Sequence, residues 1–143
     1  MPDKLGRRLF QIGGAFLLLL AAVHALSLFV PLAPANETET QLVNLMTNYK
    51  FNLMGSMRSM MDLFRGFSIT FSLQAAIVGA IALSVSKERP ALLKRLALLI
   101  TLWLVALLAV SLTHFFPFPT AFFSVAFLLF ASAYLKLPAK SPS

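Results

Sequence analysis

The sequence has no cysteine and little charge. Only 12% of its 143 residues are charged, whereas a soluble domain carries roughly 25%. So few charged residues cannot form a water-exposed surface around a hydrophobic core. The sequence therefore predicts that the surface of the protein faces lipid. The absence of cysteine excludes disulfides, thiol redox catalysis, cysteine-ligated metals and cysteine-attached haem.

Acidic residues are also scarce: five oppose twelve lysines and arginines, for a net charge of +7. In a soluble protein this balance would suggest nucleic acid. Here the basic residues lie at the ends of apolar segments, which is typical of contacts with anionic lipid headgroups and of membrane topology. We therefore expect membrane lipids as partners, and no nucleic acid.

Long apolar segments dominate the rest of the chain. A membrane-spanning helix needs about 20 mainly apolar residues, and four segments have nearly that length or more. They are residues 9–30, 66–86, 96–115 and 119–135. The apolar run of the first is too long for a cleaved signal peptide. The fold class predicted is all-α: an integral membrane four-helix bundle, forming a single domain over residues 1–143.

The distribution of lysine and arginine predicts the orientation. Nine of these residues, including Lys140, flank the predicted helices on the side of both termini, and three lie on the other side. The positive-inside rule then places both termini in the cytoplasm and residues 31–65 outside. We expect a bacterial inner-membrane protein.

The predicted outer segment has a helical pattern. Between residues 41 and 65, apolar residues recur every three or four positions, at Leu42, Met46, Tyr49, Leu53, Met57, Met60 and Phe64. This spacing predicts an amphipathic helix over 41–65, with bends at Gly55 and Gly66. Such a helix would lie in the outer interface or cover the bundle as a lid.

Three charged residues stand out in that segment. Arg58, Asp62 and Arg65 are four and three residues apart, so on one helix they would share a stripe, and Asp62 would pair with both arginines. The remaining positive charge suits a carboxylate, a phosphate or a quinone oxygen. The alternative is an interfacial ion network that caps the helix and fixes its depth.

Polar residues inside the predicted spans complete the candidate site. His24, Gln74 and His114 lie in apolar segments, where polar groups are functional candidates by default. The alternative for each histidine is a hydrogen bond to a backbone carbonyl or to a nearby serine or threonine. The candidate ligand-binding residues are therefore His24, Arg58, Asp62, Arg65, Gln74 and His114.

The chemistry available to these residues is limited. Two histidines on separate helices can ligate a b-type haem, whereas a metal site would have only Asp62 and the two histidines. No G-x-S-x-G motif occurs and there is no cysteine. We therefore assign no catalytic residue. The residues favour a protein that is not an enzyme, and acid–base chemistry by the arginines, histidines and aspartate on a lipophilic substrate stays open.

Three stretches carry a resemblance. They are His24 late in the first helix, "DLFRGFS" opening the second and "FFPFPTAFF" opening the fourth. In these the chain resembles small four-helix membrane proteins of bacteria, DoxX-like in layout. The resemblance implies a four-helix bundle and brings no catalytic residue. DoxX-like proteins are associated with quinone-linked redox complexes, which favours a lipophilic ligand.

Three interpretations stay open. The protein binds a lipid or quinone-like molecule at its outer-leaflet end. Alternatively, it is an accessory subunit that packs on a larger membrane complex or on further copies of itself. In the third interpretation it is a b-type haem protein or a membrane enzyme that uses His24 and His114.

Overall fold

The computed structural model describes residues 2–139. Met1 and residues 140–143, which include Lys140 of the charge count, lie outside the described part. The elements in chain order are α1 Pro2–Ser27, α2 Glu37–Asn48, β1 Lys50–Leu53, β2 Ser56–Ser59, α3 Met60–Ser84, α4 Pro90–His114 and α5 Pro117–Lys136.

Four of these helices, α1, α3, α4 and α5, are long and apolar enough to cross a membrane. Their number and order agree with the prediction. Their bounds differ, because the apolar run of a helix omits polar turns at its ends. Thus α3 begins at Met60 rather than at residue 66, and α4 begins at Pro90 rather than at residue 96. The helix α1 ends at Ser27, before Pro31 is reached.

The contacts divide the chain into two compact units. The first, which we call the helical unit, contains the described residues up to Leu20 and those from Ala75 onward. Phe10 of α1 meets Phe130 of α5 edge-on, with ring centroids 5.4 Å apart, and both rings are fully buried. The hydroxyls of Ser111 and Thr120 join α4 to α5 at 2.7 Å.

Glycines let α1 and α3 approach closely in the helical unit. A Cβ atom added at Gly79 would lie 2.8 Å from the carbonyl oxygen of Gly14 and 3.1 Å from Leu18. Only a residue without a side chain permits that backbone contact, as is common where membrane helices pack through small residues.

The second unit, residues 21–74, contains α2 and both strands, and we call it the hairpin unit. Asn36 caps α2 by accepting a hydrogen bond from the Glu39 N–H at 2.9 Å, and the Glu39 carboxylate accepts one from the Ala35 N–H at 2.7 Å. The strands are antiparallel, with Lys50 opposite Ser59 and Phe51 opposite Arg58.

The turn between the strands shows why the predicted helix over 41–65 is wrong. Met54 and Gly55 have φ values of 50° and 91°, the left-handed conformation of a two-residue hairpin turn. Asn52 Oδ1 accepts a hydrogen bond from the Gly55 N–H at 2.8 Å. The segment is therefore a short helix, a hairpin and the start of α3, so the fold is mainly helical with a small sheet rather than all-α. The bend expected at Gly55 falls in this turn, whereas α3 continues through Gly66.

Candidate functional site

Five of the six candidate residues belong to the hairpin unit. His24 lies in the last turn of α1, Arg58 in β2, and Asp62, Arg65 and Gln74 in α3. His114, the last residue of α4, belongs to the helical unit.

The predicted charged stripe does not form. Arg58 is in a strand and Asp62 is in the first turn of the helix that follows, so helical spacing does not relate them. The Arg58 guanidinium donates to the carbonyl oxygen of Met57 at 3.0 Å. Within residues 2–139, Asp62 has no hydrogen bond or ion pair with either arginine. The prediction that it pairs with both is wrong.

Asp62 instead caps α3. Its carboxylate accepts a hydrogen bond from the Ser59 N–H at 2.9 Å, and the Ser59 hydroxyl accepts one from the Asp62 N–H at 3.1 Å. This reciprocal pair satisfies donors that would otherwise have no partner at the helix start. The charges of Lys50 and Arg58 also favour the ionised form of this carboxylate. The Asp62 carboxylate therefore serves as a helix cap, and we do not place it in a ligand-binding site.

His24 of α1 packs against a part of α3 that lies well after Asp62 and Arg65 in the helix. Its imidazole meets the Phe71 ring edge-on, at 5.0 Å between ring centroids. Phe71 follows Asp62 by nine residues, and a helix rises 1.5 Å per residue, so His24 lies about 14 Å from Asp62 along the axis. Asp62 and His24 are therefore too far apart to share a site, because α3 begins well before the level at which α1 ends.

The imidazole of His24 is half-buried and unsatisfied within the described chain. The Ser27 hydroxyl, the nearest candidate partner in the sequence, donates to the His24 carbonyl oxygen at 2.7 Å. Neither ring nitrogen has a hydrogen-bond partner among residues 2–139. The interpretation that this histidine is satisfied by its own helix therefore fails.

Gln74 lies beside the same aromatic ring. It is three residues after Phe71 on α3, which makes the two side chains neighbours on the helix surface. Gln74 is exposed, and no residue of the described chain bonds its side-chain amide. We call His24, Phe71 and Gln74 the histidine patch; within residues 2–139, neither the His24 ring nitrogens nor the Gln74 amide has a hydrogen-bond partner.

His114 behaves differently. Its Nδ1 lies within hydrogen-bond distance of the Thr113 hydroxyl and, at 3.3 Å, of the Val110 carbonyl oxygen. These are the local partners that the sequence offered as the alternative to a functional role. His114 has partners in its own helix, and His24 does not.

The described chain offers no cluster for a metal ion: residues 2–139 contain no group of three or more histidine, cysteine, aspartate or glutamate side chains placed to hold one. No protein-family model, curated protein or solved structure matches the sequence.

Sequence reasoning missed two residues that define these sites. The capping role of Ser59 could have been predicted from the sequence, because a serine three residues before an acidic residue, ahead of an apolar run, is a helix-start signature. Phe71 was not, because nothing in an apolar sequence tells which aromatic ring of α3 will meet a histidine of α1.

Proposed function

We propose that this chain is a small integral membrane protein that binds an amphiphilic molecule, a lipid or a quinone-like compound, at the histidine patch. The four long helices expose many large apolar side chains, among them Leu19, Ile77, Leu102 and Leu128. Exposure to water at this density would be unfavourable, whereas hydrocarbon is a matched solvent for it.

The proposed orientation follows from charge. Nine basic residues flank the helices on the side of the termini and three lie on the other side, which favours cytoplasmic termini in a bacterial inner membrane. The hairpin unit then lies at the outer end, and the histidine patch lies in the outer leaflet.

The observation that carries the proposal is the unsatisfied imidazole of His24. A polar group that is removed from water without a partner costs about 1–3 kcal/mol. A carbonyl or hydroxyl oxygen of a bound ligand would supply the partner, since a neutral imidazole donates from one ring nitrogen. Phe71 offers the same ligand an apolar contact, and Gln74 a second donor.

The two histidines provide a matched test. We expect the purified wild-type protein to retain a lipophilic molecule that organic extraction and mass spectrometry find enriched over the bulk membrane extract. His24→Phe should reduce that enrichment roughly two- to tenfold, the equivalent of one lost hydrogen bond. His114→Phe should leave it unchanged, because His114 is satisfied within its own helix. Equal retention by both variants, or no enrichment in the wild type, would count against the proposal.

A second candidate function is that of an accessory subunit in a larger membrane complex, or in a complex of further copies. The helix α2 buries none of its residues, and apolar side chains of α2 and the hairpin are exposed, namely Leu42, Leu45, Met54 and Met57. Gln74 would then hydrogen-bond a partner helix, as such residues do between membrane helices. Gln74→Leu should in that case shift the mass of the complex in mild detergent without changing the retained lipid.

A further inference from the structure

The turn between α3 and α4 is held rigidly by α1. The Arg7 Nη1 donates to the carbonyl oxygens of Ser86 and Glu88, at 2.6 and 2.9 Å. Gln11 Nε2 donates to the Ser86 hydroxyl at 3.3 Å, and Ser86 is buried. The backbone of the turn is therefore held by side chains that lie far away in sequence.

A cavity of about 300 Å³ opens at this turn, lined by Glu88, Arg89, Ala91, Leu92 and Arg95. Its volume is at the lower end of the range for small-molecule sites. Arg89 and Arg95 are exposed, and within residues 2–139 neither guanidinium has a hydrogen bond or an ion pair. The backbone N–H groups of Leu92 and Leu93, in the first turn of α4, both donate to the Arg89 carbonyl oxygen, which leaves the two guanidiniums as the charged donors of this cavity.

The neighbouring lysine shows what a structural cation looks like here. Lys94 Nζ donates to the Leu137 carbonyl oxygen at 2.7 Å and lies 4.9 Å from the centre of the Tyr134 ring. Like Arg7, it joins helices to one another. Within residues 2–139, the Arg89 and Arg95 guanidiniums make no such contact between helices, although both line the cavity.

We propose that this cavity binds the headgroup of an anionic phospholipid. Two guanidiniums match the oxygens of a phosphodiester in paired hydrogen bonds, and basic pockets on the cytoplasmic side of membrane helices commonly bind such headgroups. Glu88 leaves one net positive charge and can accept a bond from a headgroup hydroxyl, as in phosphatidylglycerol. Ala91 and Leu92 provide an apolar contact for the glycerol backbone. This inference rests on the proposed membrane location and not on the histidine patch.

The test uses the full-length protein in detergent, titrated with phosphatidylglycerol, with phosphatidylcholine or with inorganic phosphate, and native mass spectrometry counts the bound molecules. The wild type should retain phosphatidylglycerol in preference to phosphatidylcholine. Arg89→Gln with Arg95→Gln should lower that retention roughly tenfold or more, since each basic residue near an anionic surface favours binding. Lys4→Gln with Arg8→Gln removes the same charge from exposed positions outside the cavity and should have little effect.

A third variant separates shape from charge. Ala91→Phe keeps every charge and narrows the cavity, so it should also weaken phosphatidylglycerol binding. Equal losses in the two charge variants, with no loss in Ala91→Phe, would mean that the lipid responds only to overall charge, and would overturn the site. Competition by inorganic phosphate that displaces all phosphatidylglycerol would identify a free-phosphate site and overturn the lipid assignment.

Discussion

At the scale of single residues, the carboxylate that lies between two arginines in the sequence has a structural role. Asp62 and Ser59 bond each other's backbone N–H groups, and this fixes where α3 begins. Serine three residues before an acidic residue is a helix-start pattern in the sequence, and the hairpin removes Arg58 from the helix that carries Asp62. A cap and an ion pair predict different mutational behaviour, so stability measurements distinguish them.

Ser59→Ala should lower the free energy of unfolding by about 1 kcal/mol, the usual effect of removing a helix-capping hydroxyl. Asp62→Ala should act in the same direction, and the double variant should lose less than the sum, because the two residues act as one unit. Thermal unfolding in detergent, followed by circular dichroism, measures all three. An ion network would instead let Arg58→Gln restore part of the stability lost in Asp62→Asn. The capping arrangement predicts no such restoration.

At the scale of elements, the four long helices could be predicted because one physical requirement, twenty or so apolar residues, dominates their sequence. The hairpin could not. Its turn has Met54 in a left-handed conformation that non-glycine residues seldom adopt, and the Asn-Gly or Asp-Gly pair typical of such turns is absent. The spacing of apolar residues across 41–65 matches a helix, although residues 50–59 of this segment form two strands and their turn.

The histidine patch shows the same limit. The sequence identified His24 and Gln74 as polar residues in apolar surroundings, which is a property of the residues themselves. The sequence does not predict that His24 contacts Phe71 or that it lies far from Asp62, because the contact and the distance both depend on how far α3 extends past the end of α1. Axial offsets between helices are set by packing and by loops, and residue spacing within one helix carries no information about them.

Two glycines of α3 make the packing testable. Gly79→Ala should destabilise the protein by about 1–3 kcal/mol, as overpacking does, because its new methyl group would lie 2.8 Å from the Gly14 carbonyl oxygen. Gly66→Ala meets no atom within 4 Å and should be neutral or stabilising by up to about 1 kcal/mol, since alanine is the better helix former. Thermal unfolding of the two variants under identical conditions decides, and similar losses in both would contradict the close approach of α1 and α3.

At the scale of the whole molecule, charge and hydropathy lead to one proposed arrangement in the membrane. In this arrangement the four helices would all cross, which would return the chain to the side on which it began and place both termini in one compartment. The side with more lysine and arginine includes the turn between α3 and α4, and the other side includes α2 and the hairpin. The proposed arrangement assigns the histidine patch to the outer leaflet and the arginine-lined cavity to the inner one.

Cysteine labelling tests the arrangement directly, because the chain has no cysteine of its own to give a background. Gln41→Cys in α2 and Lys87→Cys in the turn after α3 are both exposed positions. In intact cells, a membrane-impermeant maleimide should label Cys at position 41 and leave position 87 unlabelled until the membrane is opened. The positive-inside rule requires this outcome, because the turn around position 87 carries four of the basic residues. Labelling of position 87 alone in intact cells would invert the topology and exchange the leaflets assigned to the two sites, while labelling of both would show that the four helices do not all cross.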